Sequence, residues 1–235
     1  MPNNVTVKGS ELNMSTVIGS NFILIPAGTF LMGSPAEEPE RSAGEQQHQV
    51  TISKPFYMQT TPVTHGQWKS VRGGNPSFFK DGGDDCPVEQ VSWDDVQEFI
   101  RRLNRQEGVD KYYLPTEVEW EYAARSGGSG QKYPGTDNEA ELGNYAWYGK
   151  NSGCKTHPVE QKKPNGLGLY DMAGNVYEWC QDWFGNYPLV GNITDPLGPL
   201  SGSHRVVRGG SWFSDAVYCR SASRYDCTPD VRFIN

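Results

Sequence analysis

The chain has 235 residues, among them 27 glycines, 16 prolines, 12 tyrosines and 7 tryptophans, and a net charge of −7. That length buries a core without help from disulfides or metal, and the acidic balance excludes the basic face that nucleic acid requires. No apolar run is long enough to span a membrane, and so many turn residues exclude an architecture of long helices.

The opening MPNNVTVKGSELNMS lacks the basic and apolar regions of a signal peptide. Residues 22–33, FILIPAGTFLMG, read as two short strands around a Pro-Ala-Gly turn, and residues 48–59, HQVTISKPFYMQ, as one further strand. Three helices are announced by their caps. Thr64 with Gln67, Ser92 with Asp95, and Thr116 with Glu119 each set a hydroxyl three residues before an acid or amide, the pattern that satisfies orphan N–H groups. In the second helix Val96, Phe99, Ile100 and Leu103 recur on one face, which is therefore buried. Arg101, Arg102 and Arg105 occupy the solvated remainder. Beyond residue 126 helical signals stop. The stretch 126–153 reads as an ordered loop packed by Tyr133, Tyr145, Trp147 and Tyr148. Short strands are expected over 176–183 and 206–209. The sum is one α+β domain over residues 1–235, loop-rich, with short mixed strands and two to three helices. Five cysteines at scattered spacings and four distant histidines form neither a disulfide framework nor a metal pattern, so the thiols are expected to be mainly free.

The segments FILIPAGTFLMGS, TPVTHGQW, CPVEQVSWDDVQEFI, YYLPTEVEWEYAAR, GLGLYDMAGNVYEWCQDWF and RVVRGGSW together resemble the formylglycine-generating-enzyme, or sulfatase-modifying-factor, family over residues 22–235. The resemblance implies a C-type lectin-like fold of that family's subtype. It also implies a place to look for copper, because the family's oxidase holds the ion on two cysteines spaced C-x4-C after Arg-Gly-Gly-Ser. Here Cys219 falls on the second position, but Ser214 stands on the first. A soft Cu(I) ion wants two thiolates, so no copper and no formylglycine chemistry are expected. The family also binds structural calcium. Carried over, that site would use Asp171 in the Asn position, the carbonyls of Gly174 and Val176, and Glu178, all oxygen donors suited to Ca²⁺.

Residues 208–235 alternate two kinds of side chain. A frame of Arg208, Gly209, Gly210, Ser211, Trp212, Cys219, Arg220, Arg224 and Pro229 has structural reasons: close backbone approach, a large apolar body, guanidinium clamps and a turn. Between these stand Phe213, Ser214, Asp215, Tyr218, Ser223, Tyr225, Asp226, Cys227, Val231, Phe233 and Ile234. Each is reached from an asparagine codon by changing adenines alone. Such changes never give Lys, Glu, Gln or Met, and the segment contains none of these. The pattern resembles the variable proteins of diversity-generating retroelements of the Treponema type, whose C-terminal region is rewritten by adenine-directed mutagenesis. Such regions usually continue into Ile-Gly-Phe-Arg, which is not found here. The resemblance implies a non-enzymatic ligand-binding protein whose interspersed side chains form one exposed face. It also implies a cell-surface location as an anchored lipoprotein, any signal segment lying outside this sequence. The expected partner is a protein or surface ligand, met by a monomer.

Overall fold

The computed structural model describes residues 5–8, 18–187 and 191–235. Helices α1 (His65–Arg72), α2 (Trp93–Glu107) and α3 (Glu117–Ala124) begin at the three expected caps. In each, the Thr64, Ser92 or Thr116 hydroxyl accepts from the N–H three residues on, and Gln67, Asp95 or Glu119 reaches back to close the box. The apolar face of α2 packs on α1, with Trp68 and Phe99 stacked at 4.9 Å. Arg101 and Arg102 lie in solvent and pair with Glu98.

Among the described residues, the ten strands are β1 (Thr6–Lys8), β2 (Phe22–Ile25), β3 (Gly28–Met32), β4 (His48–Ile52), β5 (Phe56–Gln59), β6 (Tyr112–Tyr113), β7 (Glu178–Trp183), β8 (Ile193–Thr194), β9 (Arg205–Arg208) and β10 (Tyr225–Cys227). They form three small sheets, ordered β2-β5-β1-β6, β10-β9-β7 and β3-β4-β8. All pairs are antiparallel except β4 with β8. Two details depart from the sequence reading. Residues 48–59 hold two strands, because Pro55 has no N–H to continue a ladder. The strands at either end of the Pro-Ala-Gly turn do not pair with each other. β2 joins β5 and β3 joins β4, so the turn hands the chain from one sheet to another.

The sheet β10-β9-β7 ties the apolar interior together by alternation. Trp179 and Val207 enter the cluster around α1 and α2, while their neighbours Cys180 and Val206 enter the cluster around α3 and β3–β5. Helix α3 is buried almost all round, acids included, which obliges Glu117 and Glu121 to find cationic partners. The loops after α3 are packed as expected: Tyr133 and Tyr148 are buried, and Tyr145 and Trp147 half-buried. All five cysteines are free. Among the described residues, no helix is long and apolar enough to cross a membrane.

Candidate functional site

Strand β9 delivers Arg208 into a fully buried ion network. Its guanidinium bonds the Glu121 carboxylate and the Ser223 carbonyl, and donates to the Ser221 carbonyl at 3.0 Å. Arg125 Nε meets the other Glu121 oxygen at 2.9 Å. Burial alone would raise the Glu121 carboxyl, but Arg125 and Arg208 together hold it below its ordinary value. Arg224 takes Glu117 bidentately at 2.6 and 2.8 Å. Arg220 takes both Glu45 oxygens at 2.7 and 2.8 Å, and Glu38 at 2.7 Å.

The frame continues through a turn that demands glycine. Gly210 has φ +73°, and a Cβ there would stand 3.0 Å from the Cys219 sulfur and from the Tyr218 carbonyl. Trp212 is buried and donates from Nε1 to the Ile234 carbonyl at 2.7 Å. The Gln90 N–H reaches the Phe233 carbonyl at 2.8 Å, and the Gly149 N–H reaches that of Ser214 at 2.9 Å.

The interspersed side chains divide by depth. Phe213, Tyr218, Tyr225 and Phe233 are exposed to 69, 49, 52 and 38%, and Asp215 is exposed with them. These five, with Ser214 and Cys227, line a surface cavity of about 340 Å³. Ser223, Asp226, Val231 and Ile234 do not line it. Three positions differ from the expectation of an exposed face: Ser214, Ser223 and Cys227 are buried. The Ser214 hydroxyl accepts the Ser211 N–H at 3.0 Å and so belongs to the turn. Ser223 is pinned by Arg208, and Cys227 packs into the α1–α2 cluster from the floor of the cavity.

Two wall residues, Tyr177 and Asn235, lie outside the predicted set. Tyr177 stacks on Tyr225 at 5.9 Å and meets the Ser214 hydroxyl at 3.5 Å; burial pushes its phenol up to about 12. Its signal was the alternation of Val176, Tyr177 and Glu178. The first and last are fully buried, so the middle side chain faces the other way. A second cleft of about 410 Å³, near Trp183 and Tyr187, is lined by Glu117, Asp182 and Arg224. These groups are already engaged, Glu117 by Arg224 and Asp182 by the Glu117 N–H at 2.8 Å.

Two implied metals meet different donor sets. Cys219 is fully buried, and burial pushes its thiol up to about 12, while the Ser214 hydroxyl is held by the turn. One neutral thiol and one engaged hydroxyl do not fit Cu(I). At the expected calcium positions, one Asp171 oxygen accepts from the Asn175 amide at 3.2 Å and the other from the Glu160 N–H at 3.0 Å. The Gly174 carbonyl accepts the Val176 N–H at 2.7 Å. Burial raises the Asp171 carboxyl to about 6. Calcium held by Asp171, Gly174, Val176 and Glu178 would have to share the Asp171 oxygens and the Gly174 carbonyl with protein donors. Among the described residues, no group of three or more His, Cys, Asp or Glu side chains is placed to hold a metal.

Short mixed sheets, three capped helices and a loop-wrapped second half define a C-type lectin-like α+β fold. The family profile described as "Sulfatase-modifying factor enzyme 1-like domain" matches residues 10–235, and the chain belongs to that family. The formylglycine-generating enzyme of Streptomyces coelicolor is 30% identical, the match covering 88% of this chain and 84% of the enzyme. Among solved structures, Treponema denticola variable protein 1 superposes with a TM-score of 0.83 at 36% identity, over 91% of each chain. PvdO from Pseudomonas aeruginosa does so with a TM-score of 0.79 at 28% identity, over 99% of this chain and 95% of that one.

Proposed function

We propose that this protein is a non-enzymatic binder, a receptor or adhesin, whose residues 208–235 present a changeable recognition face on a lectin-like scaffold. The observation that carries the reading is the sorting of one segment into two depths. Phe213, Tyr218, Tyr225 and Phe233 gather in solvent around a cavity, while Arg208, Trp212, Cys219 and Arg220 are buried beneath them. Aromatic rings in solvent are costly unless a partner covers them, and they carry much of the energy at interfaces. A site meant to change must also be exposed, since cores respond to single methylenes. The likeness to a variable protein supports the same reading. Anchorage at the cell surface belongs to the proposal, as the place where such a face meets ligands.

The test is a display library randomised at Phe213, Asp215, Tyr218, Tyr225, Asp226 and Phe233. Most members should fold and some should bind protein targets; a library that is largely unfolded defeats the reading. Sequencing the DNA beside the gene tests diversification itself, which requires a reverse transcriptase and a near-copy of the segment encoding residues 208–235. Of the competing readings, a non-diversified accessory or sensor protein of the family is separated by that sequencing, and a copper oxidase like the enzymes among its relatives is disfavoured by the Ser214–Cys219 pair. Incubation with copper and a sulfatase-motif peptide should leave the peptide cysteine intact.

A further inference from the structure

The charges of residues 208–235 are sorted as sharply as the rings. The four arginines of the segment are all taken by acids from elsewhere in the chain: Arg208 by Glu121, Arg220 by Glu38 and Glu45, Arg224 by Glu117, and Arg232 by Asp95. Asp215 and Asp226 form no ion pair with any described residue. Asp215 precedes the 3₁₀ turn Ala216–Cys219 as its N-cap, with extended backbone (φ −70°, ψ 161°), yet its side chain makes no capping bond. An aspartate in that position ordinarily gives its carboxylate to an N–H of its own turn. Here the carboxylate stays in solvent on the cavity wall. The rest of that wall is mainly aromatic, with Tyr177 stacked on Tyr225 and Phe213 beside them, and Ser214, Cys227 and Asn235 between the rings.

Resting on the recognition-face reading, we propose that this version of the cavity receives a cationic side chain, lysine or arginine, presented by a protein partner. Ring faces attract a cation and accept its alkyl stem. Asp215 supplies the counter-charge that the stacked rings lack, and no basic side chain lines the cavity to oppose it. A volume of about 340 Å³ lies at the small end of ligand pockets and suits one long side chain. The net charge of −7 draws a basic partner in from a distance.

The experiment titrates the isotope-labelled protein with N-acetyl-arginine amide and N-acetyl-lysine amide, and separately with the norleucine and glutamate amides, while following amide shifts. The cationic probes should shift Tyr177, Phe213 and Tyr225 saturably and bind about tenfold tighter than norleucine. Asp215→Asn, at an exposed side chain without hydrogen bonds, should fold as the parent does and weaken them about two- to fivefold. That loss should shrink in high salt. Norleucine or glutamate binding as well or better at these residues overturns the cationic proposal and leaves the recognition face standing. Cation shifts scattered over other acidic surface, or no saturable binding, also overturn it; the face itself is then judged by the library.

Discussion

Two sets of side chains in one short segment meet opposite fates. Beneath the surface, Arg208, Arg220 and Arg224 are locked by carboxylates from helix α3 and the 38–45 loop. Above it, Phe213, Tyr218 and Tyr225 touch few fixed partners and face solvent. The lower set depends on long-range electrostatics in a dry interior; the upper set meets ring neighbours alone, Phe213 on Trp212 and Tyr225 on Tyr177. The contrast teaches that tolerance in a surface layer is set by how completely the layer below is determined.

The comparison breaks most readily at Arg208. Arg208→Met leaves Glu121 buried with half its compensation and should cost about 3–5 kcal/mol in urea denaturation. A loss below about 1 kcal/mol would show that the network is ornamental. Trp212→Ala removes a buried ring and the bond to the Ile234 carbonyl, and should cost about 3 kcal/mol.

A pH series sharpens the lower layer. Burial, reinforced by Glu117, pushes Asp182 up to about 7 from 3.8. Between those values the folded state holds the proton and the unfolded state does not, so this group's contribution to stability falls as pH rises from about 4 to about 7. Asp182→Asn keeps an acceptor for the Glu117 N–H and should flatten that fall, gaining on the order of 1–3 kcal/mol on the parent between pH 5 and pH 8. Parallel profiles for parent and mutant would mean that ionising Asp182 costs nothing. Replacing Phe213, Asp215, Tyr218, Tyr225, Asp226 and Phe233 together should change stability by less than about 2 kcal/mol, the sum of small surface effects. Calorimetry of that variant decides whether the upper layer is independent of the lower. The smallest effect is expected from calcium. With the Asp171 oxygens and the Gly174 carbonyl already bonded, the melting temperature should match in millimolar calcium and in chelator; a clear rise in calcium would show the ion winning those oxygens.

The helices were legible because a capping box is a local device, complete within four residues at Thr64, Ser92 and Thr116. Strands β1, β6, β8 and β10 were not, since two or three residues carry no periodicity and their partners lie far along the chain. Thr6, for instance, pairs with Met58 and Tyr113. In the segment 208–235, codon chemistry singled out positions without knowing their depth. It therefore grouped buried Ser223 and Cys227 with exposed Phe213, and it passed over Tyr177, which lies in another motif. The pairing of Arg208 with Glu121 was equally hidden, because the sequence offers Glu121 only as a helical acid.

The bonds that moor the face end on its main chain. Trp212 holds the carbonyl of Ile234, Gln90 that of Phe233, Gly149 that of Ser214, and Arg208 that of Ser223. Every amino acid carries that oxygen, proline included. At these four carbonyls the attachment is blind to what is attached: identity resides in side-chain atoms and position in backbone atoms, with Ser214, whose hydroxyl holds the Ser211 N–H, and Cys227, packed into the α1–α2 cluster, as the exceptions. A protein wired this way can exchange the content of its face without renegotiating its fold.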